Sequence, residues 1–188
     1  MIKNLLIPIT ILFSGIIADA QILKPNLPGA GSDNLARITQ SFRNNYYSIQ
    51  GAALPSQDDM DVYSSTITLP AAKNCVIYRF HSKKDTSASW QALMYEGDNY
   101  KEALKAYKNA CKLVDRTRVK LDNSAVSGFV GKIDEPETDL RFVSSSFRLN
   151  TKDEAYDKFY AEVELVNLAF DQWEVHINLQ SKKDDADQ

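Results

Sequence analysis

Residues 159–180 read FYAEVELVNLAFDQWEVHINLQ, and the period of this stretch decides the fold class. Two periods compete where it begins. Thr151 and Glu154 have the spacing of a helix-capping box, and Tyr156, Phe159, Tyr160 and Val163 fit one helix face. Phe159, Ala161, Val163 and Leu165 equally fit one face of a strand, opposite Tyr160, Glu162 and Glu164. The second half tips the balance. Trp173, Val175, Ile177 and Leu179 alternate cleanly with Glu174, His176, Asn178 and Gln180, and Asp171-Gln172 can turn the chain between two strands. A short helical turn near 152–157 followed by a β-hairpin is therefore expected.

Strands dominate upstream as well. The acidic turn DEPETD precedes a strand at 141–149, and a short strand near 117–121 comes before a Gly-containing segment at 126–133. The clearest helix lies between these and the earlier strands. Asn99 can cap it with Glu102 as reciprocal partner, and Tyr100, Ala103, Leu104, Tyr107, Cys111 and Val114 form one apolar stripe. Before it, 62–69, 75–81 and 87–95 read as strands, rich in β-branched and aromatic residues. The first helix begins at a Ser32 or Asp33 cap and carries Leu35, Ile38, Phe42, Tyr46 and Ile49 at helical spacing until Gly51. GAALPSQDDMD then reads as a polar connection. The order is α-βββ-α-ββ-ββ. Runs of strands without intervening helices predict an α+β fold, an antiparallel sheet with two main helices packed on one face. A helix followed by strands and a late tryptophan strand occurs twice (SWQALM, QWEVHI), which raises an internal duplication; the unequal helix-to-tryptophan spacings speak against it.

The chain opens MIKNLLIPITILFSGIIADAQ, with Lys3 ahead of an apolar run and Ala18-Asp19-Ala20 as a small-x-small cleavage pattern. The run is shorter than the roughly 20 apolar residues a spanning helix needs. Residues 1–20 are read as a signal peptide cleaved near Ala20/Gln21, which places the protein in the periplasm or the medium. The ending ADAQ resembles signal peptides of Gram-negative bacteria. Residues 21–32, with two prolines and two glycines, are a flexible leader; 33–181 is a single α+β domain; 182–188 is a disordered charged tail. No later segment is apolar enough to span a membrane. The net charge of −3, from 22 basic and 25 acidic residues, gives no reason to expect nucleic acid.

Cys75 and Cys111 are the two cysteines. Cys75 and His81 share a strand face but stand about 20 Å apart along it, far beyond the reach of a catalytic pair. Cys111 lies on the apolar stripe of the second helix. In an oxidising compartment an even cysteine count favours a Cys75–Cys111 disulfide, worth about 4 kcal/mol in the chain-entropy model. One feature opposes it: Val76, Tyr78 and Phe80 make the other face of the strand the more apolar one. His176, between Glu174 and Asn178, reads as an exposed strand histidine, and His81 as a loop histidine. With two histidines and two cysteines the chain has few ligands for a transition metal, and no metal or other cofactor is expected.

Asp58, Asp59 and Asp61 crowd one loop but lack the glycine and distal glutamate of a calcium-binding loop. Gly128-Phe-Val-Gly131-Lys132 lacks the spacing of a phosphate loop, and Gly29-Ala-Gly31 follows no strand. No nucleophile elbow, Ser-x-x-Lys pair or His-Glu-x-x-His helix occurs. Glu162 and Glu164 share a strand face about 7 Å apart. Tyr46, Tyr47 and Tyr63 flank the 51–61 loop and are candidates for a groove that binds a sugar or a peptide.

Together these features lead us to expect an exported, soluble, non-catalytic binding or accessory domain of a bacterial envelope, its partner a protein, peptide or glycan. Two alternatives stand beside it. One is a secreted hydrolase whose carboxylates, Glu162 and Asp61 among them, converge in the fold; the other is a secreted inhibitor or immunity-type protein.

Overall fold

The computed structural model describes residues 29–57, 59–81, 87–121, 126–136, 141–168 and 172–182. The expected signal peptide, the leader up to residue 28, Asp58, Asp171 and the tail from 183 onward lie outside the described residues. The elements, in order, are α1 (Ala30–Ser41), β1 (Gln50–Gln57), β2 (Met60–Ser65), β3 (Asn74–Phe80), β4 (Ala88–Gly97), α2 (Tyr100–Arg116), β5 (Arg118–Lys120), β6 (Val126–Gly131), β7 (Phe142–Leu149), β8 (Phe159–Asn167) and β9 (Trp173–Ser181). The strands form one antiparallel sheet in the order β1-β2-β3-β4-β9-β8-β7-β6-β5. This is the α+β architecture that the alternation in 173–180 predicts.

α2 forms where its cap and stripe place it. The Asn99 side chain accepts from the backbone of Lys101 at 3.0 Å and Glu102 at 3.3 Å, satisfying two of the donors a helix N-terminus leaves open. Ala103, Tyr107, Ala110, Cys111 and Val114 are buried along one side. They pack on the sheet face that carries Ile77, Trp90, Ala92, Val163, Leu165, Val175, Ile177 and Leu179. α1 contributes Leu35 and Ile38 to the same core.

The first helix is shorter than its periodicity suggests. It starts at Ala30 and ends at Ser41, and the spacing continues through two short 3-10 turns, Phe42–Asn44 and Tyr47–Ile49. Between them Asn45 and Tyr46 adopt left-handed backbone at φ 55° and 60°. Burial rather than helicity explains the pattern: Tyr46 is enclosed and its hydroxyl donates to the Leu179 carbonyl at 2.9 Å. The following GAALPSQ, read as a connection, is the edge strand β1. Its register on β2 shifts twice, and a Cβ at Gly51 would come 2.5 Å from Ser64 Oγ. Small residues and Pro55 are compatible with an edge position where few side chains pack.

The two halves of the chain repeat one plan. α1 precedes the meander β1–β4, and α2 precedes β5 and the meander β6–β9. Their last strands, β4 and β9, lie side by side with Leu93 opposite His176. Trp90 lies on β4 and Trp173 on β9, so the last strand of each half carries one of the two tryptophans.

Candidate functional site: the open face of the sheet

Side chains alternate along each strand, so burying one face of β8 and β9 turns Tyr160, Glu162, Glu164, Glu174, His176, Asn178 and Gln180 to the other. The register brings them into rows: Glu164 lies opposite His176, Glu162 opposite Asn178, and Gln91 of β4 opposite Asn178 from the other side. Among the described residues no helix packs on this face. It is nevertheless ordered by hydrogen bonds between strands.

One chain of donors crosses four strands. The Tyr78 hydroxyl donates to Gln91 at 3.1 Å, the Gln91 amide to Asn178 at 2.9 Å, and the Asn178 amide to the Glu164 carboxylate at 2.7 Å. A second group lies beside it. The Gln180 amide donates to Tyr160 Oη at 2.7 Å and to Glu162 at 3.2 Å, and Ser144 of β7 also donates to Glu162. His176 Nε2 meets Glu174 at 2.8 Å, while its Nδ1 is buried without a partner among the described residues. The expected exposed histidine is thus shielded, with 15% of its side chain accessible, because long neighbours on adjacent strands crowd it. Asn178 is only 8% exposed. Burial, then the charge of Glu162, raises the Glu164 pKa against the lowering influence of Asn178 and His176. Burial, then the Glu174 charge, likewise raises Tyr78.

The edge of this face deepens into a cavity of about 410 Å3, lined by Ser146, Arg148, Asp157, Lys158, Phe159, Tyr160, Glu162 and Lys182. That volume lies within the usual range of small-molecule sites, about 300–1,000 Å3. Arg148 stands directly opposite Tyr160.

The residues singled out in the sequence are placed differently from one another. Cys75 and Cys111 are both buried free thiols, so the expected disulfide is absent from the structure. Cys75 does face the core, on the side of Ile77 rather than of Val76 and Tyr78. Cys111, however, lies by Ser145 of β7, four strand steps from β3, or about 19 Å along the sheet. A disulfide requires Cα atoms within about 7 Å. Around Cys111 the Tyr107 hydroxyl donates to the Asp134 carbonyl at 2.9 Å and meets Ser145 Oγ at 2.6 Å.

Tyr46 is core, Tyr63 is partly buried against the core, and Tyr47 is 62% exposed with its ring 3.8 Å from the Arg79 guanidinium carbon. None of the three lines the larger cavities among the described residues. Asp61, on β2, lies four strand steps from Glu162 on β8 and beside His81 at 3.6 Å, so these two carboxylates do not converge. Glu162 and Glu164 do stand on one face of β8, opposite Asn178 and His176 of β9. Among the described residues no group of three His, Cys, Asp or Glu is placed to hold a metal ion, and no helix is long and apolar enough to cross a membrane. The amide row Gln91–Asn178–Gln180 was not singled out in the sequence, where its only signal is polar residues at every second position of Trp173–Ser181.

Compared with protein-family models, curated proteins and solved structures, the chain matches none. What defines it is an α+β plan with one open, hydrogen-bonded sheet face.

Proposed function

We propose that this is an exported, non-catalytic binding domain of the bacterial envelope and that the open sheet face is its binding surface. The observation that carries the reading is the donor chain Tyr78–Gln91–Asn178–Glu164 on a face that no helix among the described residues covers. Amides and carboxylates locked by one another lose little further side-chain entropy when a ligand arrives, which favours recognition of a polar partner such as a peptide or glycan. Export rests on the opening twenty residues.

The test is native mass spectrometry of the mature chain recovered from a Gram-negative host, beside a Gln91→Leu, Asn178→Leu variant. The expected result is an N-terminus at Gln21 and a bound envelope component that the variant loses. An uncleaved chain refutes export. A component retained equally by both forms, or none in either, refutes the face as the binding surface.

A second reading has its own observation. Glu162 and Glu164, about 7 Å apart on one strand, fall within the separation typical of inverting glycoside hydrolases, and burial raises the Glu164 pKa as a general acid requires. Turnover on a glycoside panel that disappears in Glu164→Gln would establish it in place of the binding domain.

A further inference from the structure

Free donors and committed acceptors distinguish the cavity at the edge of the open face. Its carboxylate Glu162 already accepts from Ser144 and from Gln180. The Tyr160 hydroxyl accepts from Gln180, which leaves its own proton without an acceptor among the described residues. Across the strand pair the Arg148 guanidinium has no hydrogen-bond or ion-pair partner among the described residues, and neither has the Lys182 ammonium. Lys158 supplies a third cation to the lining, against the two carboxylates Asp157 and Glu162. These groups come from separate places: Ser146 and Arg148 from β7, Tyr160 and Glu162 from β8, and Lys182 from the residue after β9. The backbone of Lys182 donates to Lys158 at 2.7 Å, which ties the two lysine positions to one rim.

We propose that this cavity binds a small molecule through an oxyanion, a carboxylate or a phosphate, seated between Arg148, Lys182 and the Tyr160 hydroxyl. A guanidinium offers planar paired donors to such a group, and the phenol adds a third from β8. The Glu162 carboxylate, held by Ser144 and Gln180, keeps an oxygen lone pair for a hydroxyl on the rest of the ligand. This inference rests on the open face being a binding surface and names the chemistry of one end of it.

The experiment is a titration of the mature, isotope-labelled chain followed by amide NMR, at constant ionic strength. The probes are glucuronate for a carboxylate on a sugar body, glycerol 3-phosphate for a phosphate, and glucose as the neutral control. Saturable shifts at Ser146, Arg148 and Tyr160 with either anion, and none with glucose, are expected. The preferred anion identifies which oxyanion the site takes. Arg148→Gln should weaken binding about tenfold or more, as loss of a charge-assisted hydrogen bond does; should that variant misfold, Lys182→Gln serves in its place and should weaken binding in the same direction. Non-saturable shifts with both anions, equal response to glucose, or unchanged affinity in the variant would overturn the proposal. If that happens while the Gln91→Leu, Asn178→Leu variant still loses an envelope component, only the anion site fails. If no component is bound either, the wider reading fails with it.

Discussion

Cys111 illustrates how a residue expected from the sequence to be bridged can lie free and inert in the fold. Burial pushes its thiol up to about 11, against the lowering influence of Ser145 and Tyr107. Burial also raises Cys75. Neither is then a thiolate near neutrality, and neither is accessible. Native protein should resist alkylation at both positions, become reactive at both in denaturant, and keep its intact mass on reduction. A rise of about 2 Da on reduction would instead show a bridge and require a different packing of β3 against α2. Glu164 gives the second test at this scale. Its raised pKa means that the folded chain holds the neutral carboxyl better than the charged one. The stability it contributes is fully present below the ordinary glutamate value of about 4.3 and is lost as the pH rises through the higher folded value. Glu164→Gln stays neutral throughout. The variant should therefore gain in melting temperature relative to the wild type as the pH rises above about 4.3. A constant or shrinking difference would place the Glu164 charge in a favourable setting and contradict the burial.

At the level of elements, legibility followed packing. α2 and the strands β3, β4, β7, β8 and β9 lie against the core, so their side chains repeat with the period of the structure and their positions are readable from Cys75, Cys111 or Trp173 outward. β1 packs little, carries Gly51, two alanines and Pro55, and therefore shows no strand pattern. α1 shows the reverse error: Phe42, Tyr46 and Ile49 keep helical spacing because all three turn toward the core, although the backbone there leaves the helix. The same distinction applies to the site. Glu162 and Glu164 are visible as neighbours because one strand carries both, whereas the relay through Gln91 and Asn178 depends on β4 meeting β9. That pairing joins the last strands of the two halves, far apart in sequence, and no local pattern announces it. Where a signal is local, its energetic weight can be predicted. Asn99→Ala removes the acceptor for two backbone donors of α2 and should cost about 1 kcal/mol, read by chemical denaturation. Asn99→Asp should retain stability, since a carboxylate at a helix N-terminus both caps and complements the dipole. Equal loss in both variants would show that Asn99 matters for some other contact.

For the whole molecule, the duplicated plan raises the question of whether the halves are separate folding units. The contacts argue that they are not. β4 and β9 are each the last strand of a half, and their pairing runs from Trp90–Leu179 to Gly97–Trp173. α2 begins the second half by sequence, yet it packs on β4 of the first half as well as on β6, β8 and β9. Neither half can bury its sheet face without the helix they share, so the domain should unfold in one step. The tryptophans provide the measurement because each reports on one half: Trp90 is fully buried in β4, and Trp173 stacks against Tyr100 with ring centroids 4.8 Å apart. In Trp173→Phe the fluorescence follows the first half, and in Trp90→Phe it follows the second. Within each variant, the fluorescence midpoint should coincide with the midpoint of far-ultraviolet circular dichroism. Both variants should lose stability, Trp90→Phe the more, since it leaves a gap in a closed core. Its indole N–H has no partner among the described residues to forfeit, so the loss should stay well below the roughly 3–5 kcal/mol of a truncation to alanine. A fluorescence midpoint separated from the dichroism midpoint in either variant would mean that one half opens alone. The β4–β9 seam would then be an interface between two units, and the donor chain that crosses it from Gln91 to Asn178 would break at the first transition.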